Sequence, residues 1–172
     1  MKSFILGIIV TLAAMIVGGY VFVKLGAMPA GQDSKPGTLE TWAARTSLAG
    51  TIGRASKGLT SPMQPTEATL TAGASLYVKH CQVCHGGADA TASSIAKGLT
   101  PDPPQLAKDG VEDDPEGVTY WKIAHGIRFT GMPGFQQSLP DTQIWQMALF
   151  VKHMSSLPPG TRAAWAAARP PL

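Results

Sequence analysis

The chain has 172 residues, 14 Lys+Arg against 11 Asp+Glu and a formal net charge of +3. Its 44% apolar share excludes a fully disordered chain, and two cysteines three positions apart cannot form a disulfide scaffold. The length suits one domain of about 100–150 residues with additions.

Residues 4–23 carry no charge, with Lys2 before them and Lys24 after them. Twenty helical residues span about 30 Å, the thickness of a bilayer core. The competing reading is a cleaved signal peptide, whose apolar region runs to about 7–15 residues. This run is longer and no good small-x-small site follows it, so residues 1–26 are read as an uncleaved transmembrane anchor contacting lipid through 4–23. Residues 27–67 read as a tether. Pro29, Gly31, Pro36 and Gly37 break its start, and Ser61, Pro62 and Pro65 break its end. Leu39, Trp42, Thr46, Ala49 and Ile52 fall at steps of three and four, which predicts one amphipathic helix near 39–56. With Arg45, Arg54 and Lys57 on or beside it, it is either a helix on anionic lipid or a partner, or a solvated spacer.

Residues 68–157 read as the folded domain: a helix over 69–82, a Gly/Pro-rich loop to about 113, a helix over 115–125, a loop carrying Met132, and a helix over 141–156. Asp114-Pro115 is a start signal, a capping acid before proline at the first helical position, and Gly126 is a stop. No stretch alternates with period two, so the fold class is all-α. Residues 158–172 read as a tail, a short helix or disordered.

Cys81-Gln82-Val83-Cys84-His85 is a C-x-x-C-H sequence, the attachment pattern of a c-type haem. Two thiols three residues apart on a helical end face one side and reach the two vinyl groups of one porphyrin. His85 follows directly, so its imidazole serves as the proximal iron ligand. A zinc site needs four ligands and would require a distant fourth. A thioredoxin-like pair would follow a strand, whereas a helix precedes this one. The pattern therefore implies one covalently attached haem c. Thioether attachment belongs to an oxidising compartment, which places the haem domain in the periplasm of a single-pass protein of the bacterial inner membrane.

Gly73 and Tyr77 stand eight and four residues before Cys81. With the haem motif they make residues 68–157 resemble the class I cytochromes c, in particular membrane-anchored monohaem bacterial members. The resemblance implies that a glycine and an aromatic at those offsets let the first and last helices cross closely. Their partners on the last helix would be Met147 and Phe150, with Trp145 one turn earlier. It also implies an axial methionine before the last helix. Met132, in Gly131-Met132-Pro133-Gly134-Phe135, has that order, and the flanking Gly and Pro fix its loop. Met147 and Met154 have core-like spacing, and Met28 and Met63 lie in the tether. Among the spare histidines His80, His125 and His153, His125 is the main rival as sixth ligand, and an open iron is a further alternative. The resemblance further implies that a proline-loop carbonyl accepts the proximal histidine's hydrogen bond, and Pro101, Pro103 and Pro104 supply the candidates, with Pro103 and Pro104 nominated. Trp121, Ile127, Phe129 and Phe135 are expected to wall the haem pocket, with Arg128 a candidate for a propionate.

The chain departs from mitochondrial-type cytochromes: it lacks their lysine-rich face and carries an acidic cluster, Glu112-Asp113-Asp114-Pro115-Glu116. Six basic residues oppose nine acidic ones over 66–160, while 24–65 has five against two and the tail adds Arg162 and Arg169. The basic excess thus lies outside the haem domain, which removes the case for a nucleic-acid partner. The expected partners are a redox protein donor and acceptor presenting a positive face, with no small-molecule substrate. The expected role is electron carriage rather than enzymatic turnover. The alternatives are a haem subunit of a larger dehydrogenase or oxidase, or a haem enzyme or sensor with a displaceable sixth ligand.

Overall fold

A computed structural model describes residues 1–28, 30–110 and 113–169. Among these residues every regular element is helical and no strand occurs. The chain forms two compact units, residues 1–35 and 36–172. In the first, α1 (Lys2–Lys24) is one continuous helix with no buried residue, long and apolar enough to cross a membrane.

The second unit starts with α2 (Thr38–Ala55). The expected helix is present, but the face it buries differs from the expected stripe. Thr41, Leu48 and Ile52 turn inward, whereas Leu39 and Trp42 are 74% and 64% exposed. α2 packs against α7 (Glu116–His125), and the segment after it docks as well. Ser61 N donates to Glu116 at 2.6 Å, and Leu59 and Met63 pack on the core. Gly117 permits the approach, because a Cβ there would stand 2.3 Å from the Leu59 carbonyl oxygen. Much of the stretch expected to be a spacer is therefore part of the folded unit.

Thr66 caps α3 (Glu67–His80), its side chain accepting from Thr69 N. α3 crosses α8 (Asp141–Lys152) in the most extensive helix contact of the fold. At the crossing a Cβ on Gly73 would lie 2.2 Å from the Gln146 carbonyl oxygen and 2.8 Å from Phe150 Cβ. Only glycine fits there, and Tyr77 fills the next turn with its ring 5.3 Å from Phe150. Met147 is fully buried. Trp145 faces the other way and stacks on Tyr120 of α7 at 4.1 Å.

The start of α7 also differs in detail. Pro115 itself is the cap and Asp114 makes no capping bond; its carboxylate pairs with Lys122 at 2.5 Å. Glu112 of the acidic cluster lies outside the described residues. The expected tail is largely structured. After a short 3₁₀ turn at Met154–Ser156, α9 (Pro159–Ala167) inserts Trp165 against Tyr77 and Phe150. Thr161, 1% exposed, bonds Thr71 of α3 at 2.7 Å.

Candidate haem site

The site is built where α3 ends. Cys81 terminates α3, and a one-turn helix α4 (Gln82–His85) follows. Gly86, at φ +75°, then releases the chain in a conformation that suits glycine. Tyr77 ties the turn to the core: its hydroxyl donates to the Gly86 carbonyl at 2.8 Å and the His85 carbonyl at 3.2 Å. Burial, and then the neighbouring Cys81, hold that phenol far above its ordinary range.

The loop between α4 and α7 contains α5 (Ser94–Lys97) and α6 (Leu106–Asp109). It brings the prolines under His85. His85 Nδ1 lies 2.9 Å from the Pro104 carbonyl oxygen, so among the candidate prolines Pro104 supplies the partner. A carbonyl only accepts, so Nδ1 carries the hydrogen and Nε2 keeps its lone pair. Burial lowers the imidazole's pKa, against the raising effect of the Pro104 bond. The ring is then neutral at pH 7, the state a metal ligand needs. Pro103 is held by Gln105, whose Nε2 donates at 3.1 Å to both the Pro103 and Cys84 carbonyls. Gln105, absent from the sequence-based candidates, is thus the clasp between the C-x-x-C-H turn and the proline loop. Side-chain amides in loops carry no spacing signal that would have marked it.

Opposite lies the loop after α7. Gly126 (φ +69°) and Gly134 let it fold back on the end of α7. A Cβ on Gly126 would meet the Met132 carbonyl at 2.6 Å, and one on Gly134 would meet the His125 carbonyl at 2.7 Å. Thr130 braces the turn, donating to Ile127 O at 2.7 Å and accepting from Met132 N at 3.1 Å. Phe135 N and Gln136 N donate to Ile123 O and Ala124 O, both at 3.0 Å.

Cys81, Cys84, His85 and Met132 line one cleft, together with Pro103 and Pro104. It holds about 710 Å³ of empty space, part of it open to solvent. Ile127 and Phe135 are in its wall as expected, joined by Leu99, Ile123 and Pro101. Trp121 and Phe129 do not line it. Trp121 lies against His125 at 4.8 Å, and Phe129 is 87% exposed under the Arg128 guanidinium. His125, the rival ligand, is exposed and also outside the lining. His80 is inside it, against Phe135 with ring centroids 5.7 Å apart. Its pKa is lowered by burial first and by Lys79 second, and its Nε2 is buried without a partner. The three- and four-residue steps Leu76–His80 and Tyr77–His80 are the sequence signal that places it on this face.

The donor set fits a covalently held haem. Both thiols are unpaired, the Cys81 thiol is pushed up to about 12 by burial and then by Cys84, and the walls are chiefly apolar. Among the described residues no three His, Cys, Asp or Glu side chains converge as a chelating group for a bare metal ion.

Residues 68–151 match the family described as cytochrome C oxidase, cbb3-type, subunit III. No curated protein matches the chain. The matched segment takes in nearly all of α3 and α8, the C-x-x-C-H turn and the Met132 loop, and residues 68–151 are by it a cytochrome c domain of a class I c-type cytochrome family.

Proposed function

We propose that the protein is a membrane-anchored monohaem cytochrome that passes single electrons between redox proteins at the periplasmic face of a bacterial inner membrane. The convergence of Cys81, Cys84, His85 and Met132 on one apolar cleft carries the reading. Cys81 and Cys84 would hold the haem through thioethers, and His85 and Met132 would ligate its iron from the two loops. When bound, the group supplies one-electron exchange between Fe(II) and Fe(III). The protein's part is to position and insulate. Pro104 fixes the His85 tautomer and raises the ring's basicity. The soft Met132 thioether favours reduced iron. Leu99, Ile123, Ile127 and Phe135 keep water from the walls. If His85 and Met132 both held the iron, no open position would remain on it for a substrate. Residues 2–24 serve as the anchor, a role that their length and composition support.

A second reading is favoured by the description of the matched family: the chain is a haem subunit of a larger oxidase, with the same electron-transfer chemistry in a permanent complex. Purification from membranes distinguishes the two. A free carrier leaves detergent extracts alone, whereas a subunit carries stoichiometric partners. The intact mass of the purified chain is expected to exceed its polypeptide mass by one haem, retained under acid denaturation. A non-covalent or absent haem would contradict the proposal.

A further inference from the structure

α2 presents a second face that nothing in its unit covers. Leu39, Trp42, Thr46, Ala49 and Gly53 recur at steps of three and four and are all exposed. A Cβ on Gly53 would meet no atom within 4 Å. The opposite side, Thr41, Leu48 and Ile52, is the one turned into the fold. α2 therefore keeps one seam for the protein and offers an apolar strip headed by Leu39 and Trp42. Exposed Arg45 and Arg54 flank that strip on either side, and Lys57 follows it. Between Pro36 and Lys57 these three cations oppose Glu40 alone.

Two further considerations bear on what would cover it. Only residues 25–37 separate α1 from α2, at most about 45 Å of fully extended chain. An indole beside leucine, bordered by arginines, is the composition that settles at the headgroup level of a bilayer: the ring straddles the apolar boundary and the cations meet lipid phosphates. We propose that the outward face of α2, built on Leu39 and Trp42 and flanked by Arg45 and Arg54, lies on the anionic surface of a phospholipid bilayer. This contact turns α2 from a passive spacer into a bracket that fixes the orientation of the cytochrome domain at the membrane. The proposal rests on the reading of residues 2–24 as an anchor.

The test uses the full-length haem-loaded protein in vesicles of phosphatidylcholine with and without phosphatidylglycerol. Thr46→Cys gives one free thiol for a nitroxide label, because Cys81 and Cys84 are consumed as thioethers; Ser155→Cys, at an exposed position outside α2, is the control. In phosphatidylglycerol vesicles the label at 46 is expected to lose collisions with a water-soluble nickel chelate several-fold and to gain collisions with oxygen, while the label at 155 does not change. Trp42→Ala and Arg45→Gln, both exposed positions, are expected to return the label at 46 to water with the haem absorption spectrum intact. A label at 46 that stays in water while the chain floats with the vesicles overturns the proposal and leaves the anchor standing. A chain that does not float overturns both. Equal shielding in the two lipid compositions overturns the anionic assignment. Shielding seen in native membranes but not in pure lipid identifies a docked protein instead and overturns it too.

Discussion

At the scale of single residues, spacing marked Cys81, Cys84 and His85 and family resemblance marked Met132, and one cleft is lined by all four. Phe129 shows the limit of that reading. An aromatic near the ligand loop was expected in the pocket wall, yet its backbone sits at φ +63° and carries the ring into solvent. Gln105 was missed for a related reason: its role depends on which loop returns to the C-x-x-C-H turn, and no local pattern encodes that. Gln105→Ala removes both bonds of the clasp. Each is worth about 0.5–1.5 kcal/mol, so a melting temperature lower by several degrees is expected. The positioning role has its own readout. A looser proline loop weakens the His85–Pro104 bond, lowers ligand basicity and favours reduced iron, so the midpoint potential is expected to rise. Thermal melting with redox titration checks both, and an unchanged potential would reduce Gln105 to a purely structural part.

At the scale of helices, periodicity located α2, α3, α7 and α8 to within a few residues, because each buries one face. It failed where two faces of one helix look alike. In α2 only Ile52 of the expected stripe Leu39–Trp42–Thr46–Ala49–Ile52 is buried; the inward seam is Thr41–Leu48–Ile52, on the helix that packs against α7. For α9 the Ala/Pro-rich sequence left a short helix and disorder equally open; it is a helix, and the burial of Trp165 makes it a core element. The α3–α8 crossing was legible through family resemblance, and its geometry gives a sharp test. Gly73→Ala puts a methyl 2.2 Å from the Gln146 carbonyl oxygen. Overpacking of this kind costs about 1–3 kcal/mol, and chemical denaturation should show at least that loss. The α7–α8 contact responds to pH. Tyr120 donates to Asp141 in the first turn of α8, and this bond, followed by burial and the carboxylate's charge, raises the phenol from 10.0 to about 12. A raised folded-state pKa means that the contribution is complete below pH 10 and lost as pH climbs towards about 12. Tyr120→Phe is expected to remove that alkaline component from a stability-against-pH profile.

At the scale of the molecule, an apolar helix of bilayer length precedes a folded unit that begins at residue 36. A leash of about 40 residues, the first reading of 27–67, shortens to residues 25–37 because α2 packs with the cytochrome domain. The charge division supports the same picture: acidic residues predominate over 66–160 and basic ones in the preceding segment. The proposed function turns on His85 and Met132, which would both hold the iron of a bound haem and so favour electron carriage. Carbon monoxide titration of the reduced haem-loaded protein tests it most directly. The wild type is expected to keep its absorption spectrum unchanged, while Met132→Ala binds the gas and its midpoint potential falls, within the ~0.8 V range that axial ligands span. Rapid, complete binding of carbon monoxide by the wild type would contradict the claim.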